Sequence, residues 1–146
     1  MTNASSEAHG NTFSRPIACL TIEGARRVIQ TAIAEARAGG WRISVAVVDS
    51  AGGLLAFEKM DGAIGISPEV AIGKARTAAL LQAPSGEFEA FINAGQPSFL
   101  GTPGVTPLEG GIPLRLADEF IGAVGVSGAH GPNDTRVASA AAAALI

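Results

Sequence analysis

The chain has one cysteine, Cys19, no tyrosine and one tryptophan. A single thiol cannot close an internal disulfide, and without a cysteine pair or cluster there is no ligand set for zinc or an iron–sulfur centre. Charge is also scarce: 16% of the residues are charged and the formal net charge is -3. That balance leaves no broad electropositive surface to neutralise phosphates along a duplex, which argues against a nucleic-acid partner. Most of the basic residues are arginines, so a local bidentate contact to a carboxylate or phosphate stays open. Long apolar runs are missing too. No segment approaches the roughly 20 apolar residues of a membrane span, and Met1 to Cys19 lacks the basic start and apolar stretch of a signal peptide. The expectation is a cytoplasmic protein with no membrane partner. Neither a G-x-S-x-G elbow, a Walker loop nor a G-x-G-x-x-G turn occurs, and His9 and His130 cannot share one helix. Those absences disfavour a serine hydrolase, a nucleotide-binding fold and a conventional zinc hydrolase.

What is present is a 146-residue chain, 47% hydrophobic, which is enough for one buried core and too apolar for disorder. Residues 1–18 are polar and predict a flexible N-terminal arm, leaving one domain over residues 19–146. From Thr21, a plausible N-cap, Ile22, Ala25, Val28, Ile29, Ala32, Ile33 and Ala36 recur at helical spacing until Gly39 and Gly40 stop the pattern. Trp41 to Asp49 and Leu54 to Lys59 read as a β-hairpin turning at Ser50 to Gly53. Both faces of its first strand are apolar, so both are expected to be covered. Ser67, Pro68 and Glu69 carry N-cap, first-turn proline and first-turn acid signals for a helix through Gln82. A shorter helix follows around Phe88, Phe91 and Ile92.

Gly95 to Gly111 holds too many glycines and prolines for a regular element and is long for a plain connection, so a functional loop is expected. A second hairpin turns at Ala117 and Asp118, and a last, largely apolar helix runs through Ala144. This order predicts an α+β fold, an antiparallel sheet flanked by helices. The last helix and final strand are apolar enough to predict a homo-oligomer.

Four places could carry chemistry. Lys74 shares a helical stripe with Val70, Ala78 and Leu81, where it either snorkels, pairs with an acid or anchors an anionic ligand. Arg76 is turned away from it by roughly 200°. Glu109 stands beside Gly110 and Gly111, whose amides could approach an anion; the same run also reads as a plain turn. Ser127 and Gly128 lead past His130 into a helix whose N-terminal amides could receive a carboxylate or phosphate. His130 could act as acid, base or metal ligand, or be a surface residue. Asp49, Glu58 and Asp61 lie close in sequence, and Asp49 is most simply a turn former.

Several ordered stretches then resemble the GlcG/HbpS family of heme-binding and heme-degrading-type proteins. They are Gly40 to Gly53, Phe57 to Ala63, Lys74 to Ala78, Gly110 to Pro113 and Gly122 to Gly128. The likeness covers nearly everything from Leu20 to Leu145. It implies a profilin-like arrangement, a homo-oligomer and binding of heme or iron; related domains accompany glycolate use and corrinoid metabolism. With no tyrosine, the axial candidates it leaves are His130, Met60 and Cys19, with Arg76 or Arg115 for the propionates. Two functions from different classes stand side by side. One is a binder of heme or another tetrapyrrole. The other is an isomerase, tautomerase or lyase acting on an organic acid, with Lys74 as anchor and Glu109 or His130 moving a proton.

Overall fold

A computed structural model describes residues 12–145; most of the expected arm, with His9, lies outside the described residues. The first helix, α1 (Ile22–Gly39), begins where Thr21 accepts a hydrogen bond from the Gly24 amide at 3.0 Å. It ends at Gly40, whose φ of 75° lets its amide reach back to the last carbonyls. Strands β1 (Ser44–Asp49) and β2 (Leu54–Lys59) follow. Between them Asp49 Oδ1 accepts from the amides of Ala51 and Gly53, at 2.9 and 2.8 Å, which makes it the turn former expected of it.

Helix α2 (Ser67–Leu81) starts without a side-chain cap. The Ser67 hydroxyl is used otherwise: it donates to the Ile64 carbonyl and pairs with Ser44 of β1 at 2.9 Å, both hydroxyls buried. Helix α3 (Gly86–Asn93) is short, and the glycine-rich stretch after it contains one turn of 3-10 helix at Pro97–Gly101, seating Phe99 against Phe88 and Phe91. Strands β3 (Gly111–Leu116) and β4 (Glu119–Ser127) join through Ala117 and Asp118, both at positive φ. Helix α4 (Gly131–Ala142) ends in a final 3-10 turn.

The four strands form one antiparallel sheet in the order β2-β1-β4-β3. Helices α1 and α4 bury one face over Val45, Val47, Val124 and Val126. On the other face α2 lies on Ala46, Val48 and Ala123 through Ala71, Ala75 and Ala78. Both faces of β1 are therefore covered, as its two-sided apolarity requires. The surface that led to the expectation of self-association, β4 and the Val137 side of α4, is buried within the chain.

Alanine on α2 and glycine on the sheet allow a close approach. A Cβ at Gly125 would meet the Ala71 carbonyl and the Ala75 backbone, and one at Gly111 would meet the Lys74 carbonyl. That closeness brings Lys74 of α2 to the far end of β4. Its Nζ donates to the Val126 carbonyl and to Asp134 Oδ2, each at 3.0 Å, with both side chains 3% exposed. The other Asp134 oxygen accepts from the Ala129 amide at 2.8 Å. One buried ion pair thus joins α2, the end of β4 and the start of α4.

Two outcomes follow for urea unfolding. Gly125→Ala forces backbone apart from backbone and lowers stability by about 3 kcal/mol or more, the upper range for overpacking. Lys74→Met leaves Asp134 buried without its cation and costs about 3–5 kcal/mol, whereas adding Asp134→Leu recovers part of the loss. A wild-type midpoint for Lys74→Met would contradict the buried pair.

Candidate functional site

The ion pair forms the floor of an open pocket of about 430 Å³ between the start of α2, the start of α4 and the loop before β3. Its mouth is apolar. Ile64, Ile66 and Leu108 line it and remain 65%, 59% and 43% exposed, with Val70 behind them. His130 stands on the rim, exposed, at a positive φ of 71°. Ser127 and Gly128 complete the wall. The Ser127 hydroxyl has no hydrogen-bond partner among the described residues and is open to a ligand.

The loop carrying Glu109 is held down by hydroxyls. Ser85 Oγ donates to the Leu108 carbonyl at 2.7 Å and accepts from the Gly111 amide at 2.8 Å. Thr77 Oγ1 accepts from the Thr106 amide at 2.8 Å. Glu109 is thereby set against Gly86 and Gly131, where a Cβ would crowd it, and accepts from the Thr135 hydroxyl at 2.7 Å.

Five of the residues singled out from the sequence line this one pocket: Lys74, Glu109, Ser127, Gly128 and His130. Gly110 and Gly111 line an adjoining hollow of about 290 Å³. The Gly111 amide is already committed to Ser85. Arg76 lies elsewhere, exposed on α2 with its side chain beside Gly52 of the first turn. Arg115 donates to the Gln82 carbonyl and lies over the Phe120 ring. Met60 lines a different hollow, its sulfur accepting from the Ile43 amide, and Cys19 is exposed near α1.

Two charged residues of the pocket, like Ile64 and Ile66 at its mouth, were given no role by sequence reasoning. Asp134 had a legible signal, since an acid in the first turn of a helix after a glycine and proline commonly accepts from amides at that terminus. Glu89 had none. It sits on α3, far from Glu109 in sequence, and only the fold brings the two carboxyls into hydrogen-bonding contact in the wall shared by both hollows. No group of three metal-binding side chains forms among the described residues.

Glu89 titrates above its ordinary value near 4.5. Burial is the main cause, followed by the negative charge of Glu109 and a hydrogen bond between the two side chains; a backbone bond and the Lys74 charge act in the opposite sense. The folded protein therefore holds this proton to higher pH than the unfolded chain does, so stability falls as pH rises from 4.5 through the raised value. Glu89→Gln removes that fall: its unfolding midpoint should exceed the parent's at pH 7 and match it at pH 4. Equal midpoints at both pH values would show the two carboxyls to be uncoupled.

The comparisons with known proteins agree with this architecture. Residues 20–143 match the family described as haem degrading protein HbpS-like. Protein GlcG of Escherichia coli is 41% identical over 108 residues, covering 74% of this chain and 81% of that one. A double mutant of HbpS from Streptomyces reticuli superposes with a TM-score of 0.85 at 33% identity, over 93% of each chain. A PduOC:heme complex has the same fold, with a TM-score of 0.79 at 24% identity over 88% of this chain and 96% of that one. The chain belongs to the GlcG/HbpS family.

Proposed function

We propose that this protein binds heme or a closely related tetrapyrrole in the pocket bounded by His130, Ile64, Ile66 and Leu108. The observation that carries the reading is the placement of an exposed imidazole on the rim of an apolar mouth. An imidazole nitrogen is a common axial donor to heme iron, and flat apolar ring faces need a dry, aliphatic collar. The donor set fits the iron and the collar fits the ring. The family's description as haem degrading supports the same ligand.

The remaining groups shape how the ligand sits. Glu89 and Glu109 would disfavour anionic groups deep in the pocket. Lys74 has committed two of its three N–H donors, to Val126 and Asp134. The third, with the Ser127 hydroxyl, is left for a polar ligand atom. When bound, heme supplies iron-centred chemistry; the protein supplies the ligand, the orientation and the exclusion of water. Self-association belongs to the same proposal, since the exposed collar leaves apolar area that a second copy would help to cover.

Titration of purified protein with hemin, followed by absorbance and compared with albumin, tests the reading. Saturation at a defined stoichiometry with a shifted Soret band is expected, and His130→Ala should change the spectrum and weaken binding about tenfold, or ~1.4 kcal/mol. Weak, unsaturable uptake would sink heme binding. An unchanged spectrum in the variant would remove His130 from the iron.

A further inference from the structure

A second concave surface lies away from this pocket, between α1 and β2. It consists of two hollows, of about 470 and 430 Å³, that meet at Glu58. The first half of α1 faces Leu55 to Phe57 in one, and the second half faces Lys59 to Asp61 in the other. Helix and strand therefore run side by side as the two walls of a continuous groove. On the helix wall Ile22, Arg26, Ile29, Ile33 and Arg37 recur at three- and four-residue steps. Such residues stack on one helical face.

The strand wall is the edge of the sheet. β2 pairs with β1 alone, so one row of its amides and carbonyls has no strand beside it. An edge of this kind is a template for an added strand. Its six residues span about 20 Å, a length that accepts an extended peptide rather than a small ligand.

Charge specifies the peptide. The groove walls carry Arg26, Arg37, Arg42 and Lys59 against Glu58 and Asp61, a local excess of cations on a chain whose net charge is -3. None of these six forms an ion pair among the described residues. Arg42 only donates to the Asp61 carbonyl, at 2.9 Å. Unpaired cations along a strand-length groove match an extended occupant that carries acidic side chains on the side facing α1.

We propose that the α1–β2 groove docks an extended acidic segment of a partner protein, adding it as a fifth strand beside β2. Alternate side chains of the added strand face α1, where acidic ones meet Arg26 and Arg37, and the others leave the opposite face of the sheet.

Fluorescence anisotropy with the full chain tests this, using a labelled octapeptide that alternates valine and glutamate and a matched one that alternates valine and lysine. The acidic peptide should bind saturably and the lysine peptide should not. Arg37→Glu with Lys59→Glu should weaken the acidic peptide by about tenfold, the scale for reversing two partly screened charges. Arg15→Glu, outside the groove, should leave it unchanged. N-methylation of one alternate set of peptide amides should abolish binding, and methylation of the other set should not. Absence of saturable binding, equal affinity for the lysine peptide or tolerance of both methylation patterns overturns the proposal. So does light scattering that shows a dimer broken by Arg37→Glu, which would assign the groove to a second copy.

Discussion

The Lys74–Asp134 pair is the contact on which the geometry of the pocket depends. Both charges are almost fully out of water, and such a pair gains little net stability over well-packed apolar side chains. Its effect is positional. An ammonium inside the protein must find oxygen, and the Val126 carbonyl and Asp134 are where it finds it. Asp134 in turn holds the Ala129 amide, so the chain must leave β4, turn and start α4 within a few residues. His130 is pushed to positive φ by that turn and ends on the rim of the pocket whose floor is the pair itself.

Lys74 can reach that position because α2 lies unusually near the sheet. Alanines on the helix and Gly111 and Gly125 on the strands remove the side chains that would hold the two apart. The same closeness explains the loop before β3. With Ser85 and Thr77 bonded to its backbone, the loop has little freedom, and Glu109 is set beside Glu89 across the wall of the pocket. Burial and the neighbouring Glu109 charge raise the pKa of Glu89, which makes this wall responsive to pH.

The two concave surfaces differ in character. Around His130 an aliphatic mouth sits above a compensated charge pair and an acidic wall, a combination suited to a flat, mostly apolar ligand. Along α1 and β2 the walls are cationic and one of them is open backbone, a combination suited to an extended chain. They use different residues: the starts of α2 and α4 build the first, and α1 with β2 builds the second. Occupation of one therefore leaves the residues of the other in place.

Periodicity and turn chemistry were enough to place α1, both hairpins and the last helix, because those signals are local: Thr21 caps its own helix, Asp49 closes its own turn, and Ala117 and Asp118 lie between two strands that pair directly. The ordered motifs from Gly40 to Gly128 were enough to identify the family. Ser67 reads as a cap in sequence and is a helix-to-strand hydrogen-bond partner in the fold, since only the packing of α2 on β1 brings Ser44 to it. Lys74 was legible as a residue needing a solution; that the solution is Asp134 required α2 and α4 to meet at the end of β4. Arg76, expected among the ligand-binding residues, lies outside the pocket because its step from Lys74 turns it to another face of α2, and the approach of Glu89 to Glu109 had no signal in the sequence. Local patterns determined the elements and the family, and the tertiary structure alone decided which charges are paired, which are exposed and which carboxyls meet, because those depend on burial and on contacts between residues distant in the chain.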